Sequence, residues 1–246
     1  MVTAVIVQAR ATSTRLPGKV LADLQGAPLL ERVLQRLALV ERADVTCIAT
    51  TTNAADDPVA ELGAAHGAAV FRGSEYDVLG RYVGAARAVG ADVICRVTSD
   101  CPLIDAGAVD DVIGALVERR ATHDYASNRL VRRLPRGLDA EALWHDVLLR
   151  VDRLGTSALA REHVTWALYR ERADLFALHA VVPDGEDASD LRWTVDTPDD
   201  LAMVRRLYED LDLGASAGRP YAEVLAHVRR HPEIAALNAH VEQRDR

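Results

Sequence analysis

Ala4-Val5-Ile6-Val7-Gln8-Ala9-Arg10-Ala11-Thr12-Ser13-Thr14-Arg15-Leu16-Pro17-Gly18-Lys19 begins with four apolar residues and continues as a loop of small residues, hydroxyls, two arginines and a Gly-Lys pair. The apolar run reads as a buried first strand centred on Val5-Ile6-Val7. A strand that feeds such a loop is a place to hold phosphate. Backbone N–H groups and hydroxyls wrap the oxygens while the cations neutralise them. Lys19 is the only lysine in the chain; every other basic residue is arginine. A compact ammonium on a flexible stem does work there that a planar guanidinium does not. The loop lacks the spaced glycines and the Lys-Ser/Thr ending of a Walker loop, and it is not a dinucleotide fingerprint. Its dispersed cations suit a triphosphate or a pyrophosphate leaving group.

Outward from this stretch, strands and helices alternate. The spacing predicts helices over 28–40, 57–66 and 77–89, and strands over 45–50, 69–71 and 93–98, the last apolar on both faces except at Arg96. Such alternation indicates an α/β fold, a mostly parallel sheet flanked by helices, with ligands beyond the C-terminal ends of the strands. Segments 8–19, 72–82 and 98–105 all fall at such ends. The second half is less regular: strands over 123–127, 176–182 and 192–195, helices over 140–154 and 157–172, loops over 132–139 and 183–190. A helix opens at Pro198 with Thr197 as N-cap. The chain reads as one domain over 1–246, ending in a polar helix or frayed tail over 232–246.

With 246 residues, 49% hydrophobic and 27% charged, the chain has the composition of a soluble globular protein. Its aromatic content of 4% argues against a base-stacking platform, and its net charge of −8 against nucleic acid as the main partner. Local arginine clusters still allow a small anionic substrate. Cys47, Cys95 and Cys101 are an odd number at no metal-like spacing. No apolar stretch approaches the roughly 20 residues of a membrane span, and a cytoplasmic location is expected.

Two carboxylates complete the set. Asp100 follows the 93–98 strand in Thr98-Ser99-Asp100-Cys101-Pro102, where it either holds a metal or caps the next helix. Asp196 follows the 192–195 strand, one residue before the capping Thr197, while Asp199 and Asp200 suit the helix dipole. Carboxylates from two strand ends are what a hydrated Mg²⁺ bridging protein and phosphate needs. In the 132–139 loop, Arg132, Arg133 and Arg136 either capture an anionic acceptor or are simply solvated. His163 either orients an acceptor or packs at an interface.

These segments together resemble the sugar-acid cytidylyltransferases, which include the CMP-KDO and CMP-sialate synthetases, and in particular those of the spore coat polysaccharide type. The resemblance rests on Gln8-Ala9-Arg10 with Ser13-Thr14-Arg15-Leu16-Pro17-Gly18-Lys19, and on Phe71-Arg72-Gly73-Ser74-Glu75 with Asp77-Val78-Leu79 and Arg81-Tyr82. It continues through Arg96-Val97-Thr98 with Asp100-Cys101-Pro102-Leu103-Ile104-Asp105, Arg161-Glu162-His163-Val164-Thr165, and Trp193-Thr194-Val195-Asp196-Thr197-Pro198 with Asp200-Leu201. It runs in order from residue 4 to about residue 210. It implies a Rossmann-like, glycosyltransferase-A-type nucleotidyltransferase fold with a small acceptor and dimerisation subregion at about 125–190, and a homodimer. CTP would be the co-substrate and Mg²⁺ the cofactor, with a sugar acid or similar small anion as acceptor.

The same resemblance distributes the site residues. Lys19, Arg10 and Arg15 are the catalytic cations. The nucleotide is expected at Gln8, Ala9, Arg10, Ser13, Lys19, Gly73, Ser74, Arg81 and Thr98, and the metal at Asp100 and Asp196. Gly137, Asp139, Glu141, Arg161 and His163 are the acceptor candidates. Two positions depart from the family pattern: Thr12, where the subgroup usually has glycine, and Trp166, where relatives often have proline. Alternatives are a phosphonate acceptor, a nucleotide-sugar glycosyltransferase of similar fold, and a non-catalytic nucleotide-binding protein. The glycosyltransferases usually carry an Asp-x-Asp motif that Asp100-Cys101-Pro102 does not supply.

Overall fold

The computed structural model describes residues 1–242. Strands that are apolar on both faces must lie inside a sheet covered from both sides, and this dictates the architecture. Ala4 to Val7 have no exposed surface and form the centre of β1 (Thr3–Gln8). Parallel to it run β2 (Val45–Thr51) on one side and β4 (Val93–Thr98) on the other, with β3 (Ala69–Gly73) outside β2. The crossovers contain α1 (Leu29–Leu37), α2 (Asp57–Ala65) and α3 (Val78–Ala88), and α4 (Ala106–Val117) follows β4. The sheet is extended by β6 (Glu141–Trp144), β5 (Tyr125–Ser127) and β7 (Leu178–Ala180), giving the order β3-β2-β1-β4-β6-β5-β7. Only β6 is antiparallel to its neighbours.

The chain leaves β1 toward β2 and β3 and then returns to the other side as β4. The order therefore reverses between β1 and β4, where a crevice opens in sheets of this kind. Gln8 and Thr98, the last residues of these strands, are register partners at that point. The α/β fold with a mostly parallel sheet is as the sequence indicates.

Three expectations are corrected. Residues 140–154 are not one helix: β6 occupies Glu141–Trp144 and α5 begins at His145 (His145–Leu154). The helix propensity of Glu-Ala-Leu is overridden by pairing with β4, which sets Glu141 opposite Arg96. Residues 157–172 are broken too. α6 spans Ala158–His163, and Ala167–Glu171 is a short π-helix. Between them Val164 has φ 51° and ψ −66°, and the Thr165 N–H reaches the His163 carbonyl: a γ-turn of the rare positive-φ kind, strained for a β-branched residue. Finally, 192–195 is not a full strand but a single bridge between Arg136 and Arg192.

The C-terminal part packs back on this frame through α7 (Pro198–Leu211), α8 (Tyr221–Arg230) and α9 (Pro232–Ala236). Thr197 caps α7 with Asp200 in a reciprocal capping box, as the sequence predicts. Of the 232–246 tail, Ile234 and Asn238 are buried, and residues 243–246 lie outside the described part.

Candidate active site

At the switch point lies a cleft of about 780 Å³, floored by the ends of β1 and β4 and walled by the 9–19 loop, the 75–81 segment and the 129–141 segment. The 9–19 loop is pinned at both ends. The Ala11 N–H donates to the buried Asp56 carboxylate at 2.6 Å, and the Gly18 N–H closes onto the Ala11 carbonyl at 3.0 Å. Gly18 has φ 70°, a conformation that glycine adopts without cost, and it turns the chain into the 3₁₀ turn that starts with Lys19. Thr12 restricts the loop and also anchors it, donating to Glu75 at 2.8 Å.

Lys19 is buried, and its ammonium makes three hydrogen bonds of 2.8 Å, to Asp100 Oδ2, Asp196 Oδ1 and the Val195 carbonyl. The two carboxylates are brought together by backbone: the Val195 N–H donates to the Asp100 carbonyl at 2.8 Å, so Asp196 emerges beside Asp100. Arg15 and Arg192 both donate to Asp196 Oδ2, at 2.9 and 2.8 Å. Burial pulls the Lys19 pKa down, but the Asp100 and Asp196 charges and their hydrogen bonds outweigh it and hold the pKa above the ordinary lysine value. Burial likewise opposes ionisation of Asp100, yet Lys19 and the Thr98 hydroxyl bring that carboxyl down to about 2. Asp100 does not cap the next helix; Asp105 does, accepting from the Ala108 N–H at 2.9 Å.

Two hard carboxylates converging on one cation, beside a phosphate-shaped loop, fit a hydrated divalent ion whose other ligands are phosphate oxygens and water. Among the described residues no group of three or more His, Cys, Asp or Glu could hold a metal by itself.

Arg96, Arg129, Arg132 and Arg136 also line the cleft. Glu141 is the hub for two of them, Arg96 and Arg129. It is 2% exposed and accepts from Arg96, from Arg129 at 3.1 Å, and from the Tyr125 and Thr165 hydroxyls at 2.6 Å each. Burial opposes its charge, but Arg96 and Arg129 prevail and bring its carboxyl down to about 2. Arg96 also donates to Gln8 Oε1 at 3.0 Å, which ties this hub to the end of β1. Asp139 holds Arg132 through two bonds of 2.6 and 2.9 Å. Gly137, at φ 111°, lets the loop lie on Trp193; a Cβ there would sit 2.7 Å from the Trp193 backbone.

A family model described as "Cytidylyltransferase" matches residues 4–217. The chain belongs to the cytidylyltransferase family. It is 32% identical to the spore coat polysaccharide biosynthesis protein SpsF of Bacillus subtilis, over 94% of this chain and 95% of that one. It is also 32% identical to a 3-deoxy-manno-octulosonate cytidylyltransferase of Anaeromyxobacter dehalogenans, over 83% and 96% respectively. Among solved structures, a cytidylyltransferase from Leptospira borgpetersenii superposes with a TM-score of 0.90 at 28% identity, covering 96% of this chain and 97% of that one. The enzyme is thus a CTP-dependent nucleotidyltransferase.

Of the residues singled out in the sequence, this cytidylyltransferase brings Gln8, Ala9, Arg10, Ser13, Arg15, Lys19, Arg81, Thr98, Asp100, Gly137, Asp139, Glu141, His163 and Asp196 to the cleft wall. Three lie off it. Gly73 packs against the Arg81 stem, and the Ser74 carbonyl accepts from that guanidinium at 2.7 Å. Arg161 is turned away to Asp77 and Asp152, fastening α6 to the start of α3. Glu141 lines the cleft, but its oxygens are committed to the hub. Sequence reasoning missed Arg129 and Arg192 as contributors. Arg96 carried a signal, the one charge in an otherwise apolar strand. Arg129 carried none, because its place depends on Glu141 and on stacking over Tyr169, 5.1 Å from the ring centre.

Proposed function

We propose that the enzyme transfers CMP from CTP to a sugar acid or a comparably small anion, releasing pyrophosphate. The observation that carries this reading is the Lys19 ammonium lodged between Asp100 and Asp196 at the mouth of the 9–19 loop. Arg10, Arg15, Ser13 and Lys19 would bind the triphosphate, with Gln8, Ala9, Arg81 and Thr98 around the nucleotide. Asp100 and Asp196 would hold Mg²⁺, which supplies charge neutralisation at the phosphoryl oxygens. An acceptor oxygen attacks the α-phosphorus, and Lys19 and Arg15 stabilise the departing pyrophosphate. No nucleophile from the chain is required; rate comes from positioning and fixed charge.

Arg96, Arg129 and Arg132 outnumber their carboxylate partners Glu141 and Asp139 along the cleft, which favours an anionic acceptor group, a carboxylate or phosphonate, near Gly137, Asp139 and His163. Exposed Val131, Leu159, Leu175 and Val182 in the 125–190 subregion support pairing of two copies there. No helix among the described residues is long and apolar enough to cross a membrane. The three buried free thiols suit a reducing cytoplasm.

With CTP and Mg²⁺, an acceptor panel should release pyrophosphate for a sugar acid and at least tenfold more slowly for the matching neutral sugar. Equal rates for both would overturn the anionic-acceptor reading.

A further inference from the structure

We infer that Asn238, in the C-terminal segment beyond the residues 4–217 that the family model matches, is a positioning residue for Asp196. Asn238 is 2% exposed and follows α9, which Ile234 anchors against the core. Its amide nitrogen donates to two acceptors at 2.9 Å, Asp200 Oδ1 and the Arg192 carbonyl. Asp200 has no exposed surface. It takes the Arg192 guanidinium at 2.8 and 3.2 Å and, through Oδ2, the Asp196 N–H at 3.0 Å and the Thr197 N–H at 2.9 Å. Arg192 donates in turn to Asp196 Oδ2 at 2.8 Å, and Asp196 Oδ1 accepts from Lys19.

Asn238 therefore reaches Asp196 by two routes, one through its backbone N–H and one through its carboxylate. The side-chain type matters. An amide nitrogen carries two protons for two acceptors. Alanine offers none, and a carboxylate would face the buried Asp200 with a like charge. Arg192 is shared between Asp200 and Asp196, so a shift of Asp200 moves the guanidinium and alters how Asp196 presents its oxygens to the cleft.

The inference rests on Asp196 being a Mg²⁺ ligand. Its test follows thermal stability as Mg²⁺ is added to the enzyme with CTP and no acceptor, a binding readout independent of turnover. In Asn238→Ala the Mg²⁺ concentration for half-maximal stabilisation should rise about five- to tenfold, the scale of one ordinary net hydrogen bond. Ile234→Ala, which loosens the same helix but leaves the amide in place, should lose melting temperature with an unchanged midpoint. An Asn238→Ala midpoint equal to wild type, or one shared with Ile234→Ala, would reduce Asn238 to a peg for the tail. Should Asn238→Ala fail to fold, Asn238→Ser serves in its place: a raised midpoint supports the inference and a wild-type midpoint overturns it. Absence of any Mg²⁺ effect in the wild type would instead contradict the metal reading itself.

Discussion

Lys19→Arg should lower kcat/KM by about a hundredfold to a thousandfold, the range seen when one preorganised charge donor is lost from an active site. The substitution conserves charge, so the effect comes from shape. The Lys19 ammonium is tetrahedral, buried, and meets three oxygens in three directions at 2.8 Å. A planar guanidinium is wider and cannot donate to Asp100, Asp196 and the Val195 carbonyl from one point. Either the carboxylates separate or the arginine is expelled toward the cleft mouth, and in both cases the cation leaves its place between Asp100 and Asp196. Pyrophosphate release with the acceptor used by the wild type measures it. Activity within about threefold of wild type would contradict a specific role for the ammonium.

Glu141→Gln should destabilise the fold by about 3–5 kcal/mol, the cost of stripping one partner from a buried ion pair. The neutral amide would leave Arg96 and Arg129 facing each other without their counter-charge, across the junction of β4, β5 and β6. The two glutamate oxygens now accept four donors, from β4, from β5 and the loop after it, and from the γ-turn after α6. Glutamine keeps one oxygen for the two arginines but no charge, and its amide would turn the Tyr125 and Thr165 hydroxyls from donors into acceptors. The pH dependence has a defined sign. The Glu141 carboxyl lies at about 2 in the fold against 4.5 for an unperturbed glutamate. Its stabilisation is therefore fully present above about pH 4.5 and is lost as pH falls from there toward about 2. Urea midpoints measured over this window should fall more steeply for wild type than for Glu141→Gln. Parallel curves would show that the hub carries no net charge-dependent stability.

The chain shows where local sequence suffices and where it does not. The first strand, the 9–19 loop and the capped start of α7 were legible because each is decided within a few residues: an apolar run, a Gly-Lys ending, a Thr-Pro-x-Asp opening. Asp100 and Asp196 were legible for a related reason, as polar residues just after buried apolar segments, although the second segment is extended chain with one bridge and not a strand. Glu141 was assigned to a helix because its neighbours favour one. Its strand forms only by pairing with β4 and β5, which sets it opposite Arg96, 45 positions earlier in the chain. Arg161 lies in a motif beside His163, yet α6 rotates it onto Asp77, a contact that spacing alone does not encode. Arg192 and Asn238 gave no signal, since their importance lies in bonds to Asp196 and Asp200 that form only when the C-terminal helices dock.

The most direct test of the central claim is thermal stabilisation by CTP, UTP, ATP and GTP, each with Mg²⁺, in wild type and in Asp100→Asn. A ligand that binds only the native state raises the melting temperature by mass action. CTP with Mg²⁺ should stabilise the wild type more than any other nucleotide, and Asp100→Asn should lose the Mg²⁺-dependent part of that gain. Equal shifts for all four nucleotides, or an Asp100→Asn variant that responds to CTP and Mg²⁺ as the wild type does, would contradict the account.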